Sequence, residues 1–110
     1  MIRPTSLPAK LPTAIFSVLG DIPVTMCHDL CEKKTAIGMI SFRTRQIEVQ
    51  TGLAKETMWP TFFHEMTHLA LNDAGTADVI SCKQQESVCN AMGLYLTAAM
   101  QAGYLKVATP

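Results

Sequence analysis

No charge of either sign dominates this sequence: nine basic and nine acidic side chains leave it neutral with the histidines uncharged. Without a basic surplus nothing draws the chain to nucleic acid, and without blocks of like charge there is no charged tail. A long hydrophobic run is missing too. A bilayer span needs about 20 apolar residues in succession, and the early run Ala14 to Leu19 is bounded by Pro12 and Gly20. Pro4, Pro8 and Pro12 also break any apolar core of a targeting signal. The expectation is a soluble, cytoplasmic protein with no nucleic-acid or membrane partner. Charged residues make up only 16% of the chain but apolar ones 48%. That balance excludes a disordered chain and suffices for one hydrophobic core, and 110 residues fit a single domain.

Cysteine is sparse, and its spacing is uninformative for metal knuckles. Cys27 and Cys31 stand as C-x3-C, Cys82 and Cys89 as C-x6-C. Neither is the usual paired pattern, so free and mostly buried thiols are expected, ahead of a thiolate zinc site with His28 or of disulfides. No repeat or linker divides the chain.

Elements follow from periodicity and punctuation. A short helix is expected over about 11–19, ended by Gly20. "IPVTMC" (22–27) reads as a strand, and "CHDLCEKKT" as a surface turn or loop. "IGMISF" (37–42) and "QIEVQT" (46–51) read as a hairpin joined by Arg43-Thr44-Arg45, the second strand alternating Ile47 and Val49 against Gln46, Glu48 and Gln50. Pro60 is tolerated in a helix's first turn, so a helix is expected from about 57–60 to Asn72, stopped by "NDAGT". A second long helix runs from about Cys82 to Gln101, closed by Gly103. The fold class is α+β, with a small antiparallel sheet.

Histidine is the scarcest informative residue. Only three occur, and two of them flank a glutamate in "HEMTH", residues 64–68. At about 100° per residue, His64 and His68 lie on one side of a helix, one turn apart, where two imidazoles can hold one metal ion. Glu65 is displaced by about that angle, too far round to join them as a ligand, but it can reach water beside the metal and act as general base. Phe62, Met66 and Leu69 form an apolar stripe that anchors the helix. A catalytic zinc needs a third protein ligand. Glu86 on the following helix is the leading candidate, with Asp73 and Asp78 in the intervening loop as rivals. Asn90, one turn beyond Glu86, can hydrogen-bond a ligand histidine and fix its tautomer. Gly93 continues that face and lets the two helices approach. Cys82 and Cys89 share it as small residues between packed helices.

"HEMTH" followed by "ESVCN" resembles the gluzincin peptidases, and at this length the minimal minigluzincins, with the ImmA/IrrE-like peptidases of phages and mobile elements sharing the plan. The resemblance spans about residues 37–100 by order of elements and is specific at His64, Glu65, His68, Glu86 and Asn90. It implies a zincin-like domain and a zinc endopeptidase with one Zn2+ per chain. Its ligands would be His64, His68 and Glu86, and Glu65 would be the base. A protein or peptide substrate would lie extended along an edge strand near 46–51. It also implies latency: the tail "YLKVATP" (104–110) would pair into the cleft. Larger gluzincins steady the oxyanion with a downstream His or Tyr; His28, Tyr95 and Tyr104 are the residues available here. The alternative function is a zinc-containing regulatory or binding module with a vestigial site, or a plain structural domain of a phage particle.

Overall fold

The computed structural model describes residues 6–17 and 19–110; Pro4 lies outside them. Four strands and three helices are arranged as an α+β fold: β1 (Ala14–Ile15), β2 (Ile22–Cys27), α1 (Leu30–Lys34), β3 (Gly38–Ser41), β4 (Gln46–Gln50), α2 (Lys55–Asp73) and α3 (Cys82–Gln101), with a 3-10 turn at Thr76–Asp78. No described helix is long and apolar enough to cross a membrane.

The sheet is mixed rather than antiparallel. Its strand order is β1-β2-β4-β3, with β2 and β4 parallel and the other neighbours antiparallel. Between β2 and β3 the chain passes over β4 through α1, so β4 enters between them and becomes internal. The strand expected to offer a free edge therefore has none: β2 takes one side of β4 and β3 the other. Among the described strands the outer ones are β1 and β3. Short-range alternation reads a strand's faces correctly, and Ile47 and Val49 are indeed fully buried, but it is silent on which strand lies outermost.

Two other expectations fail locally. The described residues of 11–19 form no helix, Val18 lying outside them; β1 pairs there with β2 in register Ala14↔Pro23, and Ser17 and Gly20 close a turn through reciprocal backbone bonds of 3.2 and 3.1 Å. The stretch read as a surface loop contains α1, held by burial of Leu30 and by an exposed Asp29–Lys33 ion pair one turn apart.

α2 is the middle layer. One face buries Met58, Trp59, Phe62, Phe63 and Leu69 against Ile22, Ile47 and Val49 of the sheet. The Trp59 indole N–H donates to Pro8 O at 2.9 Å and straps down the N-terminal segment, whose Leu7 and Leu11 are buried. Pro60 sits beyond the first turn, because the helix begins at Lys55; it removes one i→i−4 bond that packing must offset. α2 ends at Gly75, which takes the left-handed φ of 78°.

α3 forms the outer layer. It starts at a capping box, with Ser81 Oγ accepting from Gln84 N (3.1 Å) and Gln84 Oε1 from Ser81 N (2.8 Å). It ends in a Schellman arrangement, Tyr104 N to Ala99 O at 2.8 Å and Gly103 N to Met100 O at 3.0 Å. Gly93 is the point of close approach: a Cβ there would lie 2.7 Å from Pro60 O of α2. After Gly103 the tail does not form a strand. Leu105 and Val107 pack on the core, and Pro110 lies beside Leu11, Val24, Met26 and Met58. The tail is thus spent on core burial, away from the cleft it was expected to fill.

Candidate metal centre

α2 and α3 bring together three side chains from the sequence pattern. Spacing i, i+4 on α2 stacks His64 above His68, with their Nε2 atoms 3.2 Å apart. Packing through Gly93 carries Glu86 of α3 to both rings: Oε1 lies 2.8 Å from His68 Nε2 and Oε2 3.3 Å from His64 Nε2. The three ligand atoms fall within 4.8 Å of one another. Two nitrogens on one tetrahedral zinc stand about 3.3 Å apart, which the imidazole pair matches.

Hydrogen bonding sets the ring chemistry. His68 Nδ1 lies 2.7 Å from Gln85 Oε1. An amide oxygen only accepts, so Nδ1 carries a proton, and Nε2 is the ring nitrogen turned toward Glu86 and His64. Burial holds His64 below the usual imidazole range, reinforced by His68 and opposed by Glu86 and the nearby Asn90 side chain. Two imidazole nitrogens and a carboxylate facing one point are joined either by a proton on a ring nitrogen or by a metal cation in its place. The donor set therefore fits a divalent metal of the kind imidazole and carboxylate hold.

Glu65 is buried at 8% exposure and does not join this group. Its carboxyl is pushed up to about 7, first by burial and then by the neighbouring Glu86, against an opposing effect of His68. It opens on a cleft of about 590 Å³ between α2, α3 and the approach to β3, which Ile37, Gly38, Thr61, His64, Asn90 and Leu94 help to line. Gly38, at the start of β3, has no room for a side chain: a Cβ would collide with the Thr61 methyl and lie 3.2 Å from Glu65 Cγ.

Other expected candidates lie elsewhere. Asp73 makes a two-pronged ion pair with Arg45 (2.8 and 3.0 Å) and Asp78 is exposed, so neither reaches the cluster. His28, Tyr95 and Tyr104 are exposed and do not line the cleft. All four thiols are free, but only Cys89 is buried; Cys31 and Cys82 are exposed. Cys82 starts α3, before the helices converge. Gln85 was not foreseen, because nothing in a sequence pairs it with a histidine seventeen positions earlier. Gly38 and Thr61 were missed for the same reason. No protein-family model matches the chain, and neither a curated protein nor a solved structure is significantly similar to it.

Proposed function

We propose that the protein is a zinc-dependent endopeptidase of minimal gluzincin type, with α2 as its HExxH active-site helix and α3 as the glutamate helix of a zincin-like domain. The observation that carries this reading is the convergence of two imidazole lone pairs and a carboxylate beside a separate, buried acid that opens on a cleft. A purely structural metal site has no use for that fourth group.

His64, His68 and Glu86 would hold the ion, one per chain. Gln85 keeps His68 in the tautomer that presents Nε2, and Asn90 orients His64. Zinc in such a site supplies Lewis acidity, making water a nucleophile near neutral pH and polarising a carbonyl. Glu65 would do the proton work, accepting a proton from water and returning it to the leaving amine nitrogen. The free edge of β3, beside the cleft, offers main-chain groups to an extended peptide, and Ile37, Pro60 and Leu94 give an apolar wall for a substrate side chain. This moves the substrate strand from 46–51 to the edge at 38–41.

Two measurements on the purified chain test the reading. Elemental analysis is expected to find one zinc per chain, lost or weakened in Glu86→Ala. Glu65→Gln is expected to keep the metal and lose peptide cleavage. A zinc-containing binding module with a vestigial site is the second reading, favoured by the absence of any Tyr or His besides the metal ligands among the described cleft residues. It expects Glu65→Gln to change nothing.

A further inference from the structure

Peptide hydrolysis puts negative charge on the carbonyl oxygen, and an N–H donor aimed at that oxygen is among the largest aids to such a reaction. Among the described residues lining the cleft, the polar side chains are Thr61, His64, Glu65 and Asn90. The Thr61 hydroxyl donates to Thr57 O at 2.7 Å, so its proton is committed. His64 turns Nε2 to Glu86 and His68, and Glu65 accepts rather than donates when it acts as a base. Asn90 remains. It is exposed, and among the described residues its amide has no partner besides the nearby His64 ring.

The place of Asn90 on α3 suits a donor. A Cβ added at Gly93 would lie 2.7 Å from Pro60 O and 3.6 Å from His64 Cβ, so Asn90, just under one turn earlier, stands level with His64. Glu86, Asn90 and Leu94 follow at steps of four along the helix, which sets Asn90 between the carboxylate and the apolar wall. With Nε2 of His64 turned to Glu86 and His68, Nδ1 is the nitrogen left for Asn90. An imidazole that gives Nε2 to a metal carries its proton on Nδ1 and needs an acceptor, which is Asn90 Oδ1. The two ends of an amide point apart, so Nδ2 is then directed away from the ring and toward the cleft.

We propose that Asn90 is a catalytic residue whose Nδ2–H donates to the oxyanion of the scissile peptide, an inference that rests on the peptidase reading. As the water oxygen bonds to the carbonyl carbon, one water proton passes to Glu65 and the C=O π pair moves onto the oxygen that Asn90 faces. Collapse re-forms the C=O bond, and the C–N pair leaves with nitrogen, which takes the proton from Glu65. The donor works from the α3 wall and the base from the α2 wall, on opposite sides of the reacting carbon.

Asn90→Asp separates donation from the orienting of His64, because it keeps an oxygen for Nδ1 and loses both N–H groups. The full zinc-loaded chain is assayed on the fluorescence-quenched peptide that the wild type cleaves best in a peptide library. Calorimetry then measures binding of a phosphinic peptide of the same sequence, whose P–O oxygen takes the place of the oxyanion. For Asn90→Asp, kcat and phosphinic-peptide affinity are each expected to fall about 10²–10³-fold, with KM and zinc affinity within about threefold of wild type. Asn90→Ala is expected to lose kcat similarly and to bind zinc more weakly. Circular dichroism checks that both variants fold, as an exposed position allows. Unchanged kcat and phosphinic-peptide affinity in Asn90→Asp overturn the proposal, as does a loss that saturating zinc restores. A wild type that holds zinc but cleaves no library peptide removes the peptidase reading together with this one, so wild-type activity tells the two failures apart.

Discussion

Glu65 is the side chain whose protonation state most distinguishes the folded from the unfolded chain. Its carboxyl stands at about 7 in the fold against 4.5 ordinarily, mainly through burial. Between those values the native state keeps a proton that the unfolded chain has released. The resulting stability is complete below pH about 4.5 and is lost as pH rises through about 7. In metal-free protein, the unfolding free energy of wild type relative to Glu65→Gln is expected to fall between pH 5 and 8, by an amount on the order of 3 kcal/mol. Denaturant titrations at both pH values check this, and parallel profiles for the two proteins would refute it. Gln85 offers a second test at this scale. Gln85→Leu removes the acceptor from His68 Nδ1 and is expected to weaken zinc roughly 10- to 100-fold, measured by competition with a chelator. The meeting of His64 and His68 on one helix face was legible in five consecutive residues because helical geometry converts spacing into direction. Gln85 was not, because its partner lies on another helix.

Among elements, the contact of α2 with α3 governs whether Glu86 reaches the histidines. Alanine is ordinarily better than glycine inside a helix by about 1 kcal/mol. At Gly93 the clash with Pro60 O outweighs that gain, since backbone cannot rotate away. Gly93→Ala is expected to destabilise the fold by about 1–3 kcal/mol and to lower zinc affinity by displacing Glu86. Thermal melts and metal titration test both, and an unchanged affinity would show that Glu86 does not depend on this approach. The β3 contact is softer. Gly38→Ala meets mainly the Thr61 methyl, so Thr61→Ser in the same chain is expected to recover most of the lost stability. If the double variant is no better than Gly38→Ala, the collision lies with Glu65 instead. The boundaries of α3 were readable, because its capping box and closing glycine are local signals. The failures were also local: at 14–15 pairing with β2 overrode the apparent helical run, and at 30–34 one buried leucine was enough to fold a turn.

At the scale of the molecule, the proposed metal centre would join two layers that otherwise meet through packing and the Gln85–His68 hydrogen bond. A ligand bound by the native state alone stabilises it by mass action. Chelation is therefore expected to lower the melting temperature of wild type, and to leave that of Glu86→Ala nearly unchanged; equal shifts in both would argue for metal bound elsewhere. By itself the sequence determined that there would be one α+β core, two long helices in order, and two imidazoles on one face beside an acid. These follow from composition and from periodicities of a few residues, which backbone geometry translates directly. Only the tertiary structure decided that β4 is internal and β3 the edge, that the tail packs on the core, and that Glu86 and Gln85 meet His68. Those outcomes depend on how apolar faces distant in sequence bury one another, and periodicity along the chain carries no record of that choice.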